Sequence, residues 1–237
     1  MAPLIKHLTT VDSTNDWIAA RAAEGAADGI WVRADEQTAG RGRRARAWVS
    51  EPGNLYASTL VRPGPDDGPA PQLSFVAALA LHDMASRYVP AERLTLKWPN
   101  DLLLDNFKCA GILLEGQGGV VIIGLGINLA HHPERTERPA TSFPAQGLAA
   151  PEPGDAVMHL ANALTQRRAL WRDEGFAAIR DAWQAISAHA PGERLEARLS
   201  SKTITGAYAG LADDGALILA MDDAEIRRID AGDIFPV

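Results

Sequence analysis

The spacing of apolar and polar residues changes period several times along the chain, and each change marks an element. "STNDWIAARAAEG", residues 13–25, carries helix-favouring alanines. Ser13 followed three residues later by Asp16 reads as a capping box, and Gly25 suits the stop. "GIWVRADEQ" and "NLYASTLVRP" are predicted as strands on either side of a polar segment. "PQLSFVAALALHDMASRYV" has helical length, with a proline near its start. The stretch after it, "LTLKWPNDLLLDNFKCAGILLEGQGGVVIIGLGINLA", is predicted as strands joined by turns at 99–101, 105–106 and 117–119, and forms the core sheet.

Residues 131–155 are rich in Pro, Thr and Ala without periodicity and are expected as a loop. Two amphipathic helices are predicted next, over about 156–172 and 176–188, ending at Pro191 and Gly192. The remainder alternates in short runs with a turn at 213–215, the pattern of a small all-β module that packs on the main body. The expected division is 1–190 and 191–237.

With 237 residues and 46% hydrophobic content, the chain can bury one large core plus a small module. The longest apolar run, "VVIIGLGINLA", is far short of the ~20 residues that span a bilayer, and "MAPLIKHLTT" has no leader-like apolar region. Cys109 is the single cysteine, so an intrachain disulfide is excluded and a reducing, cytoplasmic setting fits. A formal charge of -7 and a pI near 5.4 argue against a general nucleic-acid binder.

Against that acidic background stands "EQTAGRGRRARAWVS", residues 36–50, where four of the six residues 41–46 are arginine. Such a run repels itself and has no apolar face, so it is expected as an exposed, mobile loop unless an anion holds it. Gly40 and Gly42 let the backbone approach a ligand, and arginine forks grip carboxylate or phosphate bidentately. Trp48 offers either packing or a face for an aromatic base. Lys97 in "KWPND" and Lys108 in "NFKCAGILLE" lie near strand ends, where loops gather into sites. "GLGIN" at 124–128 lacks the last glycine of a dinucleotide fingerprint, and no GxxxxGK[ST] occurs.

Taken in order, "STN", "EQTAGRGRRARAW", "KWPND", "KCAGILLE" and "GLGIN", followed by a small β module, resemble the biotin–protein ligases along nearly the whole chain. The resemblance implies an α+β fold: a class II aminoacyl-tRNA synthetase-like catalytic domain with an SH3-like C-terminal domain. It also implies ATP and Mg²⁺, with biotin as substrate, a biotinyl-5'-AMP intermediate, and a carboxylase biotin carrier domain as acceptor. A homodimer is allowed; DNA is not expected, since no helix-turn-helix stretch precedes "STN", and a membrane is not expected, since no apolar run is long enough to span one.

Residue by residue, the resemblance places Ser13, Thr14, Asn15 and Gln37 at the ureido ring of biotin. The 40–43 backbone (Gly40, Arg41, Gly42, Arg43) wraps the valeryl chain, and Gly111 also belongs to the biotin site. Arg41, Lys97 and Lys108 are the catalytic cations, with Lys108 also at the reacting carboxyl. Arg43, Arg46, Trp48, Asn100, Asp101 and Asn128 face ATP, and Asp101 is the metal candidate. Ala45 stands where glycine is common in the family. Two rival readings stay open: a lipoate or octanoate transferase on the same scaffold, and a non-catalytic nucleic-acid contact.

Overall fold

The computed structural model describes residues 3–134, 136, 138–223 and 225–237. Its larger sheet contains β1 (Ile5–Val11), β2 (Trp31–Gln37), β3 (Leu55–Val61), β4 (Leu94–Lys97), β5 (Asp101–Leu104), β6 (Phe107–Gln117) and β7 (Val120–Ile127). Their spatial order is β1-β2-β3-β7-β6-β5-β4. Only β1 and β2 run parallel; the other neighbours are antiparallel. The strands and turns expected in residues 94–127 are all present. β1 was not anticipated, because "IKHLTTV" at a sheet edge is mostly solvent-facing and shows no clean alternation.

Helices α1 (Thr14–Ala23), α2 (Leu73–Ala85) and α3 (Pro153–Ala185) cover the sheet. The period of two decides which face each covers. On β7, Val121, Ile123, Leu125 and Ile127 join the large core with α2 and α3, while Val120 and Ile122 join a smaller cluster with Ile18 of α1. Continuing along that second face, the next two positions are Gly124 and Gly126. The small residues begin where α1 ends its cover, and they leave an open trough.

Ser13 caps α1 as expected, its Oγ accepting from the Asp16 N–H at 3.4 Å. The reciprocal arm of the capping box is not made. Asp12 Oδ1 takes the Ser13 N–H at 2.7 Å, which leaves the Asp16 carboxylate for Arg41.

The two helices expected after residue 155 form one element, α3, broken at Gly175, where φ is 76° and ψ is -178°. The break redirects the second half, so that Phe176 and Trp183 both meet Phe75 of α2 edge-on, at 5.4 and 5.7 Å between ring centroids.

The second sheet is antiparallel and holds β8 (Arg194–Arg198), β9 (Thr203–Leu211), β10 (Leu217–Ala220), β11 (Ile226–Ile229) and β12 (Asp233–Pro236), in the order β11-β10-β9-β8-β12. It gives the α+β fold its SH3-like C-terminal module. The module docks on the main body through polar as well as apolar contacts. The Trp98 indole N–H donates to the Gly215 carbonyl at 3.0 Å, and the Leu211 N–H donates to Gln184 Oε1 at 2.9 Å.

At Gly175 the backbone lies in a region open almost only to glycine. A Cβ there would meet no atom within 4 Å, so the cost of adding one is conformational alone. Gly175→Ala is expected to lower stability by about 1–3 kcal/mol, seen as a lower denaturant midpoint with an unchanged slope.

Candidate active site

A cavity of about 350 Å³ opens on the glycine face of the sheet, between the first turn of α1, the arginine loop and the edge of the small sheet. Its floor is made by paired strands: Gly111 of β6 opposes Gly126 of β7, and Leu113 opposes Gly124. A Cβ on Gly126 would sit 2.5 Å from the Trp48 ring, and one on Gly124 would sit 2.3 Å from Asn15 Oδ1. The glycines are required by what lies on them.

One end of the cavity is a polar cluster. Gln37 Oε1 accepts from the Thr14 backbone N–H at 2.8 Å and from its hydroxyl at 3.0 Å, while Gln37 Nε2 donates to Ser50 Oγ at 3.0 Å. Ser58, fully buried on β3, lies 2.7 Å from Thr14 Oγ1 and 2.6 Å from Asn15 Oδ1. Asn15 Nδ2 donates to Glu115 at 2.6 Å. These side chains are locked by one another, which is the condition for selective recognition of a polar ring.

The other end is cationic. Among the described lining residues, Arg43, Arg46, Lys108 and Arg138 gather around two carboxylates, Asp101 and Asp233, while Arg41 turns to Asp16 and Glu115. Lys108 reaches this face through an irregularity in the β5–β6 register, where Leu102 pairs with Ala110 but Leu103 pairs with Lys108. The extra residue lets Lys108 and Gly111 line the cavity while Cys109 and Ala110 between them stay in the core. Lys108 Nζ lies 2.6 Å from Asp101 Oδ1, an ion pair whose angles fall outside those of a hydrogen bond, and 5.5 Å from the centroid of the Trp48 ring. Arg43 donates to Asn100 Oδ1 at 3.3 Å, and burial lowers its pKa from the ordinary value.

The arginine loop is folded by its own chain. Gly42 N–H donates to the Arg46 carbonyl at 2.8 Å, and Trp48 N–H to the Gly40 carbonyl at 2.9 Å. Arg44 and Ala45 both adopt left-handed backbone, with φ of 55° and 56°. That is the conformation a glycine at 45 would take more readily. The anions that hold the loop are carboxylates. Arg41 forks onto Asp16 with both contacts at 2.6 Å and lies 3.5 Å from Glu115, while Arg44 and Arg46 reach Asp233. The Asp16 carboxyl is held below its usual range chiefly by its hydrogen bonds from Arg41.

Most of the residues singled out in the sequence line this one cavity: Ser13, Thr14, Asn15, Gln37, Arg41, Gly42, Arg43, Arg46, Trp48, Asn100, Asp101, Lys108, Gly111 and Asn128. Two do not. Gly40 stands behind the wall, where a Cβ would be 2.5 Å from Ser50 Oγ and 2.6 Å from the Trp48 carbonyl; it permits the loop to close. Lys97 is also displaced from the expected place. It is buried behind the cavity and donates to the Ile234 carbonyl of β12 at 2.5 Å, so it ties the small sheet to the large one. Sequence reasoning missed Glu115, Arg138 and Asp233. Arg138 arrives because its loop pairs with β6, Lys108 N–H donating to the Pro139 carbonyl at 3.0 Å, and no local pattern announces that pairing.

Asp101 does not fit the metal role expected of it. Its two oxygens face Lys108 and Arg138, and among the described residues no group of three His, Cys, Asp or Glu could hold an ion.

Residues 8–129 match the Biotin/lipoate A/B protein ligase family, and residues 192–235 match the Biotin protein ligase C terminal domain. A biotin–[acetyl-CoA-carboxylase] ligase of Paracoccus denitrificans is 42% identical over 90% of this chain and 92% of its own length. The chain belongs to the biotin protein ligase family. A biotin–[acetyl-CoA-carboxylase] ligase of Mycobacterium tuberculosis is 34% identical, with 94% of this chain and 85% of that protein covered. Among solved structures, the biotin protein ligase from Aquifex aeolicus in complex with biotin and ATP superposes with a TM-score of 0.85 at 25% identity, covering 99% of each chain. The family membership accounts for the order of motifs, and this chain's own contacts show which of them face one another.

Lys97 generates a prediction of its own. Burial is the main cause that depresses its pKa, to about 7. Between roughly pH 7 and 10 the unfolded chain therefore binds a proton at this lysine that the folded chain does not, so stability should rise with pH across that window. Lys97→Met should flatten the rise, as read from denaturant midpoints measured at pH 7 and pH 9.5. Equal slopes in both proteins would refute the assignment.

Proposed function

We propose that this member of the biotin protein ligase family activates biotin with ATP and attaches it to a lysine of a carboxylase carrier domain. The observation that carries the reading is the polarity of the cavity. A polar end, where Thr14, Asn15 and Gln37 are interlocked by hydrogen bonds beside Ser13, is joined by a glycine floor to an end where Arg43, Arg46, Lys108 and Arg138 outnumber the carboxylates Asp101 and Asp233. Biotin has that layout, with a polar ureido ring, an apolar chain and a carboxylate.

In the first step a biotin carboxylate oxygen bonds to the α-phosphorus of ATP, and the bond to the bridging oxygen of pyrophosphate breaks. The acyl phosphate that results is biotinyl-5'-AMP. In the second step the amine of the carrier lysine attacks its carbonyl, an amide forms, and AMP departs with the bonding pair. Two unit charges about 4 Å apart repel by roughly 4 kcal/mol at an effective dielectric of 20. Left uncompensated, that repulsion is worth about three decades in rate. Arg41 and Lys108 are assigned to the carboxylate and the developing charge at phosphorus, and Arg43 and Arg46, with Trp48, to the nucleotide. Asn100 and Asn128 border the same end. Magnesium belongs to this reading as a companion of the triphosphate, since Mg²⁺ is ordinarily held largely by substrate phosphates and water.

The lipoate reading is disfavoured by the C-terminal match, and the nucleic-acid reading by loop arginines that face carboxylates of the same chain across a concave site. Among the described residues no helix is long and apolar enough to cross a membrane. With a single, buried and unpaired cysteine, we adopt a cytoplasmic setting.

Incubation with biotin, MgATP and a carrier domain should add one biotinyl group to a carrier lysine by mass, and biotin should stimulate ATP–pyrophosphate exchange more than lipoate does. Exchange driven by lipoate alone would overturn the substrate assignment. Arg41→Ala and Lys108→Met should each slow exchange by about 10²–10³-fold, the scale for removing one charge-stabilising donor, while carrier affinity changes little.

A further inference from the structure

The small sheet supplies one wall of the cavity, and it does so with a single acidic residue. Asp233, the first residue of β12, lines the cavity with its side chain 13% exposed. Its Oδ2 accepts from Arg46 at 2.7 Å and from Arg44 at 3.1 Å. Burial alone would raise its carboxyl; hydrogen bonding to Arg46 and the charges of Arg46, Arg44 and Arg138 outweigh burial and leave it lowered.

The two residues that follow are fixed just as firmly. The Ile234 carbonyl accepts from Lys97 at 2.5 Å and from Arg138. The Phe235 ring lies under Arg138 and Arg198, at 4.4 and 4.0 Å from its centroid. Asp233 is thus an anion on a rigid strand, whereas its partners sit on a loop whose tip, at Arg44 and Ala45, holds left-handed backbone.

We propose that Asp233 is a positioning residue that latches the arginine loop over the cavity, through Arg44 and Arg46, and so sets how long the acyl-adenylate is retained. The inference rests on the function proposed above. While a triphosphate is bound, its charge competes with Asp233 for the two guanidinium groups. Once pyrophosphate has left, the adenylate carries a single phosphate charge, and Asp233 draws the loop back across the opening. A closed loop keeps water from the acyl phosphate until a carrier lysine arrives. Asp233 need not touch the reacting atoms for this role.

The test uses the full chain with labelled biotin and MgATP. Labelled biotinyl-AMP is formed on the protein with pyrophosphatase present, then diluted into unlabelled substrates, and its escape is followed in a filtrate. Asp233→Asn should speed escape by about three- to tenfold, the range for losing a partly buried ion pair with two partners. Asp233→Glu, which keeps the carboxylate, should recover most of the retention. Added salt should speed escape from the parent chain more than from Asp233→Asn.

A second measurement needs no substrate. Amide exchange through residues 41–47 should be faster in ligand-free Asp233→Asn than in the parent. Equal exchange, or equal retention in parent and variant, would overturn the latch. If the parent forms no biotinyl-AMP, the functional reading fails instead, and the exchange comparison alone decides whether Asp233 holds the loop.

Discussion

Positive charge is difficult to concentrate. Guanidinium and ammonium groups that share a cleft repel one another, and removing them from water adds to the cost. In this chain the cations are kept together by carboxylates that arrive from three separate parts of the sequence: Asp16 on α1, Asp101 on β5 and Asp233 on β12. Each acid faces a cation of the same cavity or loop. The arrangement explains how an acidic protein can carry a strongly basic loop. It also means that incoming anionic substrates replace existing partners and do not enter a field of bare charge.

The space for those substrates comes from β-sheet periodicity. On one face, β7 reads Val121, Ile123, Leu125, Ile127 and packs into the core; on the other it passes from Val120 and Ile122 to Gly124 and Gly126. The same strand therefore stabilises the fold and forms the cavity floor. Its core face ties the floor to α2 and α3, so the trough sits on a part of the structure that is slow to open.

Much of this was legible in the sequence, and the gaps have definite causes. The α1 cap, the hairpins of 94–127 and the break near Gly175 were visible because each is governed by local pattern. So was the gathering of "STN", the arginine loop and Lys108, although it was carried by resemblance to a family and not by spacing. β1 was hidden by a polar edge position. Lys97 and Lys108 looked alike as isolated lysines near strand ends, and the register irregularity in β6, together with β12 behind Lys97, is what separates them. Arg138 and Asp233 could not be found locally, since a loop pairing with β6 and a docked second sheet bring them in. Asp101 looked like a metal ligand until its two cationic neighbours were seen.

The tip of the arginine loop carries a last implication. Arg44 and Ala45 are consecutive non-glycine residues with positive φ, a state disfavoured by roughly 1–2 kcal/mol for each. Such a tip behaves like a bent spring, at rest only while its ends are pinned. A glycine at position 45 would hold that pose without the cost, so the alanine makes the folded tip depend on the hydrogen bonds and the carboxylate that pin it.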